Sequence, residues 1–173
     1  MKYSLVYSAT ILKNIIVVAI AYFCGFYFTT IFHEPTSLVG GLWAVISAII
    51  VIEATHKQTY SSAKKRIIGT LIGAIISGIY LLFFQFSIIG FLVAIGIGVL
   101  ICLLLKLPDS IKLTCITISV VVIVSTIAED LHPFINAGLR FAESVIGTLA
   151  AVLVALGYES FANKMTKKNP QKS

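Results

Sequence analysis

The sequence predicts an all-α, polytopic membrane protein of six transmembrane helices, and three observations carry that prediction. Of the 173 residues, 58% are hydrophobic and only 12% are charged, whereas about a quarter of a soluble domain is charged because its surface must be wetted. Mean hydropathy is +1.02. Apolar stretches recur along the chain with short polar breaks between them, each near the roughly 20 helical residues that a hydrocarbon core about 30 Å thick requires. The stretches also lack the alternation of polar and apolar residues that a closed barrel needs to wet its lumen. Helices therefore satisfy the backbone in lipid.

The first span is expected at 13–32. Lys2 and Lys13 precede its apolar run, which is longer than that of a signal peptide and is followed by further spans, so it reads as uncleaved. The second span is expected at 37–55 and the third at 67–86, entered from Lys64, Lys65 and Arg66. The fourth, 87–105, continues the same apolar run. No single helix of that length fits the bilayer, so the run must break at Gln85-Phe86-Ser87. The fifth span is expected at 111–129 and the sixth at 138–160. Residues 161–173 read as a basic tail carrying Lys164, Lys167, Lys168 and Lys172. Cys24, Cys102 and Cys115 fall inside spans without paired spacing and read as small buried hydrophobes.

Basic residues resist translocation and so sort the loops by side. Lys57, Lys64, Lys65 and Arg66 lie between spans two and three, Lys106 and Lys112 flank the link between four and five, and the tail lysines follow span six. The opposite loops hold His33, Glu34, Gln85, Glu129, Asp130 and His132. Both termini are expected on the cytoplasmic side of the membrane. The formal charge of +6 is spread over these loops and suits anionic lipid. No motif accompanies it that would point to nucleic acid.

A shift of 74 residues places span one on four, two on five and three on six, and superimposes Arg66, Ile72 and Gly73 on Arg140, Ile146 and Gly147. Units of three spans enter the membrane from opposite sides, so 13–86 and 87–160 are candidate halves of an inverted repeat. Gly69, Gly73 and Ser77 in span three, and Gly147, Ala151 and Ala155 in span six, recur every four residues. Such stripes of small residues allow close helix packing in lipid.

Polar groups inside spans are costly and mark function. Arg66 and Arg140 stand at the expected starts of spans three and six, where a helix N-terminus already favours an anion and guanidinium offers planar donors to a carboxylate. On that reading they mark two mouths of an anion path, one at each membrane face. For Arg66 the competing reading is an interfacial anchor; for Arg140 it is an ion pair with Glu143 one turn later. Glu53, near the end of span two, either pairs with Lys57 or couples a proton to transport, and Glu143 is a second candidate for coupling. Trp43 reads as part of an interface belt. No metal-ligand spacing, cofactor motif or nucleophile motif is present, so neither an enzyme nor a bound cofactor is expected.

The stretch "GGLWAVISAIIVIEATHKQTYSSAKKRIIGTLIGAIISG" resembles the aromatic acid exporter and fusaric acid resistance family. That family has an apolar second span, a polar link with threonines and serines, and an arginine leading into Gly-Thr-x-x-Gly. The matching residues here are Thr55, Thr59, Ser61, Arg66, Gly69, Thr70 and Gly73; Arg140 with Gly147 is similar to the family's last span. Where the family often has glutamine before the link, this chain has Glu53. The resemblance implies a six-span inner-membrane domain associated with export of small, often aromatic, organic anions. The expected function is a transporter or channel subunit, working as a homodimer or with another subunit. The alternative is a non-transporting partner within a larger efflux assembly.

Overall fold

A computed structural model describes the backbone of residues 2–168 and the side chains of residues 10–160. Six helices follow one another: α1 (Lys2–Phe32), α2 (Ser37–Val51), α3 (His56–Phe83), α4 (Ile88–Leu104), α5 (Ile111–Ile127) and α6 (Pro133–Lys168). Short 3-10 turns, Glu34–Thr36 and Pro108–Ser110, lead into α2 and α5. Five segments are long and apolar enough to cross a membrane, and α4 is a shorter apolar helix. Its 17 residues span about 25 Å at 1.5 Å each. The described residues contain no strand.

Local chemistry explains the helix ends. Thr55 caps α3 by accepting a hydrogen bond from the Gln58 amide, so the helix begins at His56 and carries the polar residues before 67 as regular helix. Pro133 opens α6, a position where its missing N–H costs nothing. This helix continues through residues 161–168 of the expected tail; 169–173 lie outside the described residues. The long apolar run breaks where expected: Phe84 is extended, and Ser87 caps α4 by accepting from the Gly90 amide at 3.1 Å. Lys106, at φ 57°, occupies the left-handed region after α4. There the Leu107 amide donates back to the Cys102 carbonyl at 2.8 Å, turning the chain into α5.

α3 and α6 pack against each other at the centre. α2 lies on α6 and α5 lies on α3; α1 packs on α2 and α6, and α4 packs on α5 and α3. Adding 74 to each number in the first half therefore reproduces the pairing of the second. The 3-10 turns begin at 34 and 108, and α2 and α5 at 37 and 111. Thr70 and Ser144, themselves 74 apart, hydrogen-bond to each other at 3.2 Å across the α3–α6 seam.

The small-residue stripes sit at backbone-to-backbone approaches. A Cβ on Gly73 would lie 2.7 Å from Thr117 Cβ and 2.8 Å from the Thr114 carbonyl oxygen, and Gly69 faces Leu113 and Ser110 in the same way. Thr114 donates to the Gly69 carbonyl at 3.0 Å, and Ser77 is buried, donating to the Gly73 carbonyl at 2.7 Å. On the other side of the bundle Gly147 abuts the Ala44 backbone, and Ala151 packs in a layer with Val17, Ala21, Ala44 and Ala48. Dispersion at such close approaches is a main source of helix association in lipid.

Ion pairs tie the two ends. At the lysine-rich end Lys65 meets Asp109 at 2.8 Å, His56 meets Glu159, and Lys13 donates to the Glu53 carbonyl at 2.6 Å. At the opposite end His33 reaches Asp130 at 3.2 Å. The three cysteines are free, with Cys102 buried, Cys115 half-buried and Cys24 exposed.

Candidate functional site

Residues three or four apart share a helix face. Arg66 and Thr70 of α3 thus both meet Ser144 of α6, and Asn136, Arg140, Glu143 and Thr148 of α6 are buried as well. Arg66 is 0% exposed. Its Nε donates to Ser144 Oγ at 3.1 Å and to Ser47 Oγ at 3.3 Å, and its Nη2 donates to Ser47 Oγ at 2.8 Å. Its guanidinium carbon lies 4.7 Å from the centre of the Trp43 ring. The Trp43 Nε1–H in turn donates to the Arg140 carbonyl at 2.7 Å. The indole therefore links the surroundings of the two arginines.

Arg140 and Glu143 are each 0% exposed and form an ion pair, Nη1 to Oε2, of 3.0 Å, without the alignment of a hydrogen bond. The other carboxylate oxygen, Oε1, accepts from Thr29 Oγ1 at 2.6 Å. Gly40 leaves the space for that bond, because a Cβ there would fall on Thr29 and within 2.7 Å of Glu143 Oε1. Asn136 Nδ2 donates to the Val121 carbonyl at 2.9 Å.

Several donors and acceptors remain unused. Arg66 Nη1, Arg140 Nε and Nη2, Asn136 Oδ1 and Thr148 Oγ1 are buried without a hydrogen-bond partner. All belong to Arg66 or to one face of α6, and Asn136 to Thr148 covers about 18 Å of helix. Most buried polar groups in proteins are paired, so this concentration along one seam is a chemical feature of the site. The seam thus buries two guanidinium groups and a single carboxylate, which is paired with Arg140. A planar, anionic acceptor such as a carboxylate matches the free N–H groups in charge and geometry.

The structure corrects the expected placement of both arginines. Arg66 is the eleventh residue of α3, about 15 Å from its start, and Arg140 the eighth of α6, about 10 Å from its start. Backbone N–H groups that deep in a helix bond within it, so no helix-terminus anion site exists at either position. The two helices start from opposite ends of the bundle, and both arginines are buried along the α3–α6 seam, linked through Trp43, instead of marking two mouths. Full burial also excludes the interfacial anchor reading of Arg66. Glu53 is exposed in the link after α2, with its Oε1 accepting from Ser62 Oγ at 3.4 Å, so the burial that motivated proton coupling there is missing. Trp43 is 2% exposed and belongs to the cluster, not to an interface belt.

Thr29, Ser47, Ser144, Asn136 and Thr148 were not singled out by sequence, and Thr70 entered only through the family resemblance. For α6 a signal existed: Asn136, Arg140, Ser144 and Thr148 recur every four residues, a polar stripe inside an apolar helix. Among the described residues no group of His, Cys, Asp and Glu is arranged to hold a metal. Residues 29–154, which contain every residue of the cluster, match the family model described as fusaric acid resistance protein-like. No curated protein and no solved structure matches the chain.

Proposed function

The chain belongs to the fusaric acid resistance protein-like family, and from that premise we propose that it is an inner-membrane transport subunit exporting small organic anions, aromatic carboxylates among them. The observation that carries this reading is the buried pair Arg66 and Arg140 with only Glu143 to oppose it. A charged side chain at the bilayer centre costs at least about 2.5–3.5 kcal/mol, so an uncompensated guanidinium there needs a purpose. A substrate carboxylate accepting from an unused N–H of Arg66 or of Arg140 supplies the missing charge. The planar fork of arginine favours that geometry over a point charge.

Complete burial of the cluster fits an occluded carrier state better than an open channel. Access then alternates between the two ends as the halves 13–86 and 87–160 rock about the α3–α6 seam. The lysine-rich end faces the cytoplasm and both termini lie there. Glu143 is the group placed to couple a proton to this cycle, since it alone among the buried ionisable groups of the cluster is an acid.

Flux of benzoate from liposomes containing the purified protein tests the proposal. The wild type should release benzoate well above protein-free liposomes, and Arg66→Gln and Arg140→Gln should each lose at least about ten-fold. Absence of carboxylate flux in the wild type, or unchanged flux in both variants, would favour a non-transporting partner of a larger efflux assembly.

A further inference from the structure

Arg66, Arg140 and Glu143 are all 0% exposed. The ion pairs among the described residues are His33–Asp130, His56–Glu159, Lys65–Asp109 and Arg140–Glu143. None involves Arg66, whose polar partners are the neutral Ser47 and Ser144. Glu143 therefore opposes one of two buried positive charges, and one unit remains. Leaving a buried charge without its partner is strongly unfavourable, and this excess sits where lipid-facing helices exclude water.

We infer that Glu143 sets the charge of the anion the cluster accepts: with its carboxylate ionised, the site takes a monocarboxylate and rejects a dicarboxylate of similar size. This rests on the reading of the cluster as the anion site. A monoanion brings the three buried charges to neutrality. A dianion leaves one negative charge in excess within a cluster that already buries the Glu143 carboxylate, a like-charge repulsion that costs affinity. Glu143 is fixed for this role by two partners on different helices, Thr29 of α1 and Arg140 of α6. Gly40 of α2 gives it room. No other acid among the described residues is fully buried.

Glu143→Gln keeps the side-chain shape and an oxygen to accept from Thr29, and raises the excess from one positive charge to two. Arg66→Gln lowers it to zero, and the double variant Arg66→Gln with Glu143→Gln returns it to one. Calorimetric binding of cyclohexanecarboxylate and of cyclohexane-1,2-dicarboxylate to the purified full chain, at a pH where both are ionised, reads the effect. In the wild type the monocarboxylate should bind at least about ten-fold tighter, and Glu143→Gln should reduce that ratio at least about ten-fold. Arg66→Gln should weaken the monocarboxylate at least about ten-fold, and the double variant should recover part of that loss, since the charge balance returns while the Arg66 donor stays absent. That recovery is an effect of charge alone, and it keeps the test decisive if Glu143→Gln alone does not fold.

An unchanged ratio in Glu143→Gln, or no recovery in the double variant while the wild type binds the monocarboxylate, overturns the charge rule and leaves the anion site standing. If neither carboxylate binds the wild type, the site reading itself fails.

Discussion

Replacing Gly147 by alanine is the most local way to part the helices that hold the site. A Cβ at Gly147 would lie 2.7 Å from the Ala44 carbonyl carbon and 3.0 Å from its Cα, and nearer still to the carbonyl oxygen. All three atoms are backbone and cannot rotate away. Restoring ordinary contact, which begins near 3.4 Å, requires α2 and α6 to separate locally by more than the roughly 0.7 Å that the carbonyl carbon alone demands. A gap of that size forfeits about a quarter to a half of each dispersion well along the contact, including the layer of Ala44, Ala48 and Ala151. Overpacking of this kind costs about 1–3 kcal/mol, offset by up to about 1 kcal/mol of helix propensity gained over glycine. The separation also pulls on the Trp43–Arg140 hydrogen bond, one to two turns away. Gly96 is the control, because a Cβ there meets nothing within 4 Å and only the propensity gain remains. Unfolding of both variants in mixed micelles, followed by circular dichroism across a denaturing-detergent titration, should show Gly147→Ala less stable than wild type and Gly96→Ala equal or more stable. Gly147→Ala matching or exceeding Gly96→Ala would refute the close-packing argument.

Two further predictions concern orientation and backbone strain. On a background without native cysteines, an impermeant thiol reagent added outside intact cells should label Glu129→Cys and not Ser61→Cys; the reverse pattern would invert the topology. Lys106→Gly removes a side chain from a left-handed position at φ 57°, so it should raise stability by roughly 0.5–1 kcal/mol in the same unfolding titration, and a decrease would show that the lysine side chain itself holds the α4–α5 turn.

Composition alone made the fold class legible, because a chain this poor in charge has no other solvent than lipid. The break between α3 and α4 was also legible, since bilayer thickness limits how long one span can be. The position of the arginines was not. Hydropathy begins span three at residue 67 and span six at 138, which leaves Arg66 outside and Arg140 barely inside. The helices begin at His56 and Pro133, and the polar turns added at each start carry those arginines inward. Periodicity of apolar residues says nothing about a helix before the apolar run begins. The sequence assigns Trp43 to an interface belt because an aromatic in an apolar span has an ordinary explanation there. Its placement depends on Arg66 stacking beneath it, a contact between α2 and α3 that no local pattern announces. The 74-residue offset was visible as Arg66/Arg140 and Gly73/Gly147, yet Thr70/Ser144, the mates that actually touch, share only a hydroxyl.

The chain contains a single tryptophan, and it lies at the cluster, 4.7 Å above the Arg66 guanidinium and bonded to the Arg140 carbonyl. Its fluorescence therefore reports on a carboxylate bound at either arginine. Titration of the purified protein with cyclohexanecarboxylate, which does not absorb in the tryptophan window, should give a saturable change in Trp43 emission that is at least about ten-fold weaker in affinity for Arg66→Gln and for Arg140→Gln. A flat titration of the folded wild type, or the same saturation curve in both arginine variants, would contradict the assignment of this buried cluster as an anion site.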